Sequence, residues 1–192
     1  MDTIIEIDKA VFLFINRSLA NPVSDFLMPL ITEEDHYRIP ILVIWAALIL
    51  FGGRKGAVTA LLVALILAID DQIVNFWIKP WVGRTRPCFV LEGMRLLIDQ
   101  PNSPSFPSSH AANMAAMATL FSFRHPRWKA VFIGLAVLIA YSRIAVGVHY
   151  PSDVLAGALV GTACACLVLS MESRIARLWA SRKKIPQSGG KT

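Results

Sequence analysis

AVTALLVALILAIDDQIVNFWI occupies residues 57–78, and its reading decides the fold. The run has no strand-like alternation and is long enough for the ~20 apolar residues that one helical bilayer crossing needs. Its acidic pair, Asp70-Asp71, lies inside the apolar stretch, where ionisable groups are costly and call for a partner or a task. Working outward, four further apolar runs share its character: Ile39 to Phe51, Ala111 to Phe123, Ala130 to Ala145 and Val154 to Met171. The first is short, so it must borrow flanking residues or tilt. Ahead of it, Ile4 to Leu30 mixes apolar residues with Asp8, Lys9, Arg17 and Asp25 and breaks at Asn21-Pro22. That pattern predicts an amphipathic interfacial helix and then another crossing.

The expected fold class is therefore all-α: a polytopic membrane helical bundle of about six transmembrane helices with an N-terminal interfacial helix. Composition agrees, since 55% of the 192 residues are hydrophobic and 17% charged, with a mean hydropathy of +0.56. Soluble domains carry about 25% charged residues. Residues 1–181 read as a single membrane domain and 182–192 as a polar cytoplasmic tail. The net charge of +6 does not imply nucleic acid, because the basic residues are scattered among loops without interleaved aromatics. Cys88, Cys164 and Cys166 form no metal or disulfide framework and read as small packing residues. Gly157 and Gly161, four apart among alanines, predict close helix approach.

Charge sets the orientation. Arg54-Lys55, then Arg124, Arg127 and Lys129, then the basic tail all fall on one side of the membrane, which the positive-inside rule makes cytoplasmic. The other side receives the long segment Lys79 to Ser109 and the turn around His149. A notable set of side chains gathers at that outer level: Lys79 and Arg86-Pro87, Pro107-Ser108-Ser109-His110, Ser142-Arg143, and His149 with Asp153. Topology alone thus delivers cations, imidazoles and a carboxylate to one depth.

These groups suit phosphoryl transfer, which needs non-bridging oxygens neutralised and a nucleophile held in line. Lys79, Arg86 and Arg143 make a cationic cradle, and arginine's fork can take two oxygens. Ser108 and Ser109 precede an apolar helix whose first N–H groups favour an anion. His149 is placed to attack phosphorus, with Asp153 on its other ring nitrogen, and His110 to protonate the leaving oxygen and then activate water. No acidic cluster or His/Cys ligand set suggests a metal, so metal-free chemistry without cofactors is expected.

The spacing resembles a known family. Lys79, six residues, Arg86-Pro87; Pro107-Ser108-Ser109-His110; and Ser142-Arg143, five residues, His149, three residues, Asp153 resemble the three-part signature of the type-2 phosphatidic acid phosphatase superfamily. The resemblance implies a six-helix membrane architecture. It makes His149 the nucleophile that becomes a phosphohistidine, Asp153 its support, His110 the general acid, and Lys79, Arg86, Ser108 and Arg143 phosphate ligands. The second motif usually reads Pro-Ser-Gly-His; Ser109 replaces the glycine but keeps the backbone N–H. Among the membrane branches, the chain looks most like bacterial undecaprenyl-diphosphate phosphatases, with the site facing the periplasm or cell exterior. Phosphatidylglycerophosphate or lipid A hydrolysis, lipid phosphotransfer, and a lipid-phosphate transporter or binding protein are the alternatives. The expected partners are the lipid phosphate substrate and membrane lipids; oligomeric state is left open.

Other polar residues take plainer readings. Asp71, Asn75 and Lys79, at i, i+4 and i+8, predict one helix face bearing a hydrogen-bond ladder. Arg84 and Arg95 read as lipid headgroup contacts. The segment Leu91 to Ser105 is long enough to be expected as a surface lid.

Overall fold

The computed structural model describes residues 2–183, so all but the first two residues of the expected 182–192 tail lie outside the described residues. Among the described residues every regular element is helical. Helix α1 (Asp2–Leu13) runs into a π-helical turn, Phe14–Ser18, and α2 (Pro22–Thr32) follows. The start of α2 is locally encoded: Asn21 accepts from the Ser24 N–H at 2.9 Å, and Pro22 takes the first helical position. Then come α3 (Arg38–Phe51) and α4 (Gly53–Asp71). The latter continues through a π-helical stretch, Gln72–Ile78, into α5 (Lys79–Val82). After α6 (Pro87–Val90), the chain completes α7 (Ser109–Arg124), α8 (Lys129–Ala145) and α9 (Pro151–Lys183).

Three segments are long and apolar enough to cross a membrane: Gly53–Val90, Pro126–Ala145 and Pro151–Arg182. Helix α3 is apolar but shorter, and it buries none of its residues. Ile39, Ile41, Leu42, Val43 and Ile44 on it are all exposed, as side chains facing hydrocarbon would be. The chain is a membrane protein.

Helix α7 is the hub, packing on α8, α9 and α4. Its alanines at 111, 112, 116 and 118 are buried with Leu120, because small side chains let neighbouring backbones close in. The glycine stripe does what its spacing predicts. A Cβ on Gly157 would lie 2.3 Å from the Ser108 carbonyl oxygen, and one on Gly161 only 1.9 Å from that of Ala112. Towards the Arg124 end of α7 the core is Leu62, Ile66, Ala116, Leu120, Ala165, Val168 and Leu169. Towards the Ser109 end it divides into two clusters, one around Phe12, Ala111, Ile144, Tyr150 and Val154 and the other around Met28, Ala145, Val146 and Val148.

The N-terminal stretch presents one buried line to the bundle and leaves most of its apolar residues outside it. Asp8, Phe12 and Asn16, spaced i, i+4 and i+8, are buried, while Ile4, Ile7, Val11 and Phe14 are exposed. Glu6 and Lys9 pair with each other at the surface at 2.9 Å, whereas Asn16, on the π-helical turn, finds its partners inside: it donates to the carbonyls of Arg95 at 2.8 Å and Ala145 at 2.9 Å and accepts from the Arg95 N–H at 2.7 Å. The expected ladder along Asp71, Asn75 and Lys79 forms in its first rung, where Asn75 donates to Asp71 Oδ1 at 3.3 Å. The π-helical stretch between them replaces the 3.6-residue period, leaving Asp71 and Asn75 exposed and Lys79 buried.

Candidate active site

Lys79 enters the site where the π-helical stretch ends. Helix α5 then stops after one turn at Gly83, whose left-handed backbone (φ +60°) lets its N–H cap the Lys79 carbonyl. That reversal brings Arg84 and Arg86 back against the bundle. Arg86 is buried and knits two segments together: it donates to the Ser103 carbonyl at 2.7 Å, the Ser103 hydroxyl at 3.0 Å and the Val148 carbonyl at 3.0 Å.

The Pro107-Ser108-Ser109-His110 motif forms the start of α7. Ser108 is its N-cap, accepting from the Ala111 N–H at 3.4 Å, and is fully buried. Its own N–H donates to the Asp153 carbonyl at 2.9 Å, so the motif is docked on the first turn of α9. The first-turn N–H groups of a helix point out of its start, where they favour an anion. Ser109 donates its hydroxyl to Asn75 Oδ1 at 2.9 Å. Among the described residues no non-glycine has a positive φ, so serine stands in the glycine's place without backbone strain.

At the far end of α8, Arg143 is buried and donates to the Thr32 hydroxyl of α2 at 2.8 Å. Its carbonyl accepts from the N–H groups of Val148 and His149, each at 3.3 Å, which curls the chain so that His149 returns beneath Arg143. His149 is 1% exposed. Arg86 Nη1 sits 3.1 Å from its Nε2. A guanidinium can only donate, so Nε2 carries the lone pair and the ring proton is on Nδ1. Nδ1 in turn lies 3.5 Å from Asp153 Oδ2. Burial pushes the His149 imidazole well below its ordinary range, and Arg143, Arg86, Lys79 and His110 press the same way. The ring is a neutral base with its lone pair directed at cations.

All eight residues singled out in the sequence, His149, His110, Asp153, Lys79, Arg86, Ser108, Ser109 and Arg143, fall at this one end of the bundle. Lys79, Arg86, Ser108, Arg143, His149 and Asp153 are buried, and His110 and Ser109 are more open. Two residues given plainer readings also belong here. Arg84 does not face lipid headgroups: it donates to Asp153 Oδ1 at 2.6 Å, Asp8 Oδ2 at 2.7 Å and the Ser152 hydroxyl at 2.7 Å, and stacks on the Tyr150 ring at 4.0 Å. Asp8 accepts from the Ser152 N–H at 2.9 Å and its hydroxyl at 2.5 Å. The signal for Asp8 was the i, i+4, i+8 line it makes with Phe12 and Asn16. Arg95 likewise pairs with Asp25 instead of a headgroup. It helps to hold the 91–105 segment down, since the Leu97 N–H bonds to the Val146 carbonyl and Met94, Leu97 and Ile98 pack into the core.

Among the described residues no three His, Cys, Asp or Glu side chains are grouped to hold a metal ion. What the cluster offers is a buried, oriented imidazole with three cations around it and an open helix N-terminus. Such a set can bind a tetrahedral anion and attack it.

The family model described as PAP2 superfamily matches residues 57–177. A lipid A 4'-phosphatase of Bacteroides thetaiotaomicron is 30% identical over 81% of this chain and 72% of its own length. An undecaprenyl-diphosphatase of Bacillus subtilis is 36% identical over 81% of this chain and 76% of its own. Among solved structures, a transmembrane PAP2-type phosphatidylglycerolphosphate phosphatase from Bacillus subtilis superimposes with a TM-score of 0.74 at 26% identity, covering 91% of this chain and 89% of that one.

Proposed function

This chain belongs to the PAP2 superfamily of membrane phosphatases, and we propose that it hydrolyses undecaprenyl diphosphate to undecaprenyl phosphate and inorganic phosphate at the outer face of the inner membrane. The observation that carries the reading is the convergence of four separate chain segments on His149, whose Nε2 lone pair is fixed by Arg86 and whose Nδ1 faces Asp153.

The steps follow from that geometry. The terminal phosphoryl group settles among Lys79, Arg86, Arg143 and the first-turn amides of α7, and its oxygen takes over the Arg86 Nη1–H from the imidazole. His149 Nε2 then bonds to phosphorus as the bridging P–O bond breaks, and His110 gives its proton to the departing lipid phosphate. Asp153 holds the Nδ1–H and stabilises the positive charge gathered on the ring. Water next attacks phosphorus, His110 takes a proton from it, and the P–N bond breaks to release phosphate. No step calls on a metal.

Six crossings and an outward-facing site complete the proposal. Helices α2, α3 and α7 would join the three long apolar segments. The helices that bring the site together at one end carry Arg54, Lys55, Arg124, Arg127 and Lys129 at the other, which supports a cytoplasmic location for that end. Residues 1–181 would form one domain. The resemblance to a lipid A 4'-phosphatase favours lipid A as the second substrate to consider.

Purified protein assayed on undecaprenyl diphosphate, lipid A and phosphatidylglycerophosphate, with released phosphate measured, separates these readings. Undecaprenyl diphosphate should give the highest kcat/KM, turnover should persist in excess chelator, and His149→Ala should lose several orders of magnitude, as removal of a nucleophile does. Lipid A turning over faster would move the assignment to the second reading. Unchanged lipid binding in His149→Ala, with no hydrolysis by the parent, would identify a binding protein or transporter instead. Labelled phosphate appearing in lipid with little set free would mark a phosphotransferase.

A further inference from the structure

We infer that Asp8, brought in by the N-terminal helix, is a positioning residue for the phosphoryl transfer proposed above, acting through Arg84 on Asp153. The inference rests on that phosphatase reading but on a different set of contacts. Arg84 lies between two carboxylates, 2.7 Å from Asp8 and 2.6 Å from Asp153. Both are buried, Asp8 to 7% exposure and Asp153 to 0%. The guanidinium is fixed on its remaining sides by the Ser152 hydroxyl and the Tyr150 ring, and Phe12 packs against that ring at a centroid distance of 5.6 Å. It is thus held by α1 and by the first turn of α9 together.

Charge explains why Asp8 should matter to the chemistry. Asp153 has to hold the Nδ1–H of His149 and stabilise the positive ring that forms when Nε2 bonds to phosphorus. An Arg84 paired with Asp153 alone would cancel that carboxylate and turn it away from the imidazole. Asp8 supplies a second carboxylate to the same guanidinium, so the trio keeps one net negative charge for His149. This counts for more in a site where Arg86, Arg143, Lys79 and His110 already oppose a positive ring. Asp8 makes its contacts with Arg84 and Ser152, so loss of the Asp8 charge should slow the chemical step and leave substrate binding intact.

The test uses the full-length chain purified in detergent, with kcat and KM measured on the preferred lipid of the panel. Asp8→Asn keeps the side-chain shape and the acceptor for the Ser152 N–H. It should lower kcat by about 10- to 100-fold, the scale seen when the hydrogen-bond partners that orient metal-ligating histidines are removed, without raising KM. Asp8→Glu, which restores the charge, should recover most of the loss. In an Arg84→Met background, Asp8→Asn should cost nothing further, because the route through Arg84 is already cut. Should Asp8→Asn fail to purify folded, Asp8→Ser, with an oxygen for Ser152 but no charge, is read by the same criteria. Parental kcat in the uncharged variant, a raised KM with kcat unchanged, or an Asp8→Glu as slow as Asp8→Asn would each overturn the inference. A parent that hydrolyses none of the lipids would overturn the phosphatase reading itself.

Discussion

The two ends of helix α7 are built on different principles. Around Leu120 the neighbours are Leu62, Ile66, Ala165, Val168 and Leu169, side chains whose shapes matter and whose identities are interchangeable within a size class. Around Ser109 the contacts are directional: the Ser108 N–H on the Asp153 carbonyl, Arg86 on His149, Arg84 on two carboxylates. A buried polar network of that kind tolerates no half measures, since each unpaired member carries its full desolvation cost. The glycine stripe on α9 joins the two regimes. Gly161 lets α9 approach the apolar half, and Gly157 lets the same helix reach the Ser108 carbonyl, so packing in one half fixes geometry in the other.

The sharpest way to break this contrast is to change one residue at each end. His110→Asn should lower kcat by about 10²- to 10⁴-fold, the range for a general acid and base, while thermal unfolding in detergent stays near that of the parent. Leu120→Ala should do the reverse. Emptying that fully buried position should destabilise the bundle by about 2–5 kcal/mol and leave kcat per folded molecule close to parental. If Leu120→Ala slowed turnover as severely as His110→Asn, the two halves would not be separable and the contrast would fall.

A pH profile sharpens it next. Burial and four neighbouring groups hold the His149 imidazole below 6.5, so on acidification the free enzyme keeps a neutral nucleophile until well under that value. The acid-side fall in kcat/KM due to His149 should therefore lie below pH 6.5, once the substrate's own phosphate ionisation is allowed for. A His149-dependent fall above pH 6.5 would mean that the cations do not act on the ring as the geometry implies.

The apolar half was legible in the sequence because length and hydropathy alone determine it: Ala57 to Ile78 and Val154 to Met171 lie in long helices as expected. The first line of the site was legible too, since lysine, arginine, histidine and aspartate near apolar helix ends have few other uses. What stayed hidden depends on local backbone and on partners distant in the chain. A π-helical stretch took Lys79 off the line of Asp71 and Asn75, and periodicity cannot announce a change of its own period. Asp8 and Arg84 are 76 residues apart, and nothing near either names the other. On α1 nothing in the local sequence separates buried Asp8 from Glu6 and Lys9, which pair at the surface, because the Arg84 and Ser152 that receive Asp8 lie far along the chain.

The smallest effect is expected at Ser109, and it bears on how finely the polar end is tuned. The side chain adds one hydrogen bond, from half-buried Ser109 to Oδ1 of exposed Asn75 at 2.9 Å. Its backbone takes no positive φ, so the glycine usual in the motif would bring no conformational relief here. Ser109→Gly removes that bond and keeps the amide that faces an anion at the helix start. The change should fall within the ~0.5 kcal/mol typical of substitutions away from buried features, which is about a twofold effect on kcat/KM, read on the same lipid as the parent. A tenfold gain would show that the hydroxyl obstructs the phosphate, and a tenfold loss would show that the tie to Asn75 sets the position of α7. Either result would extend the directional regime past the buried residues and into the exposed rim of the site.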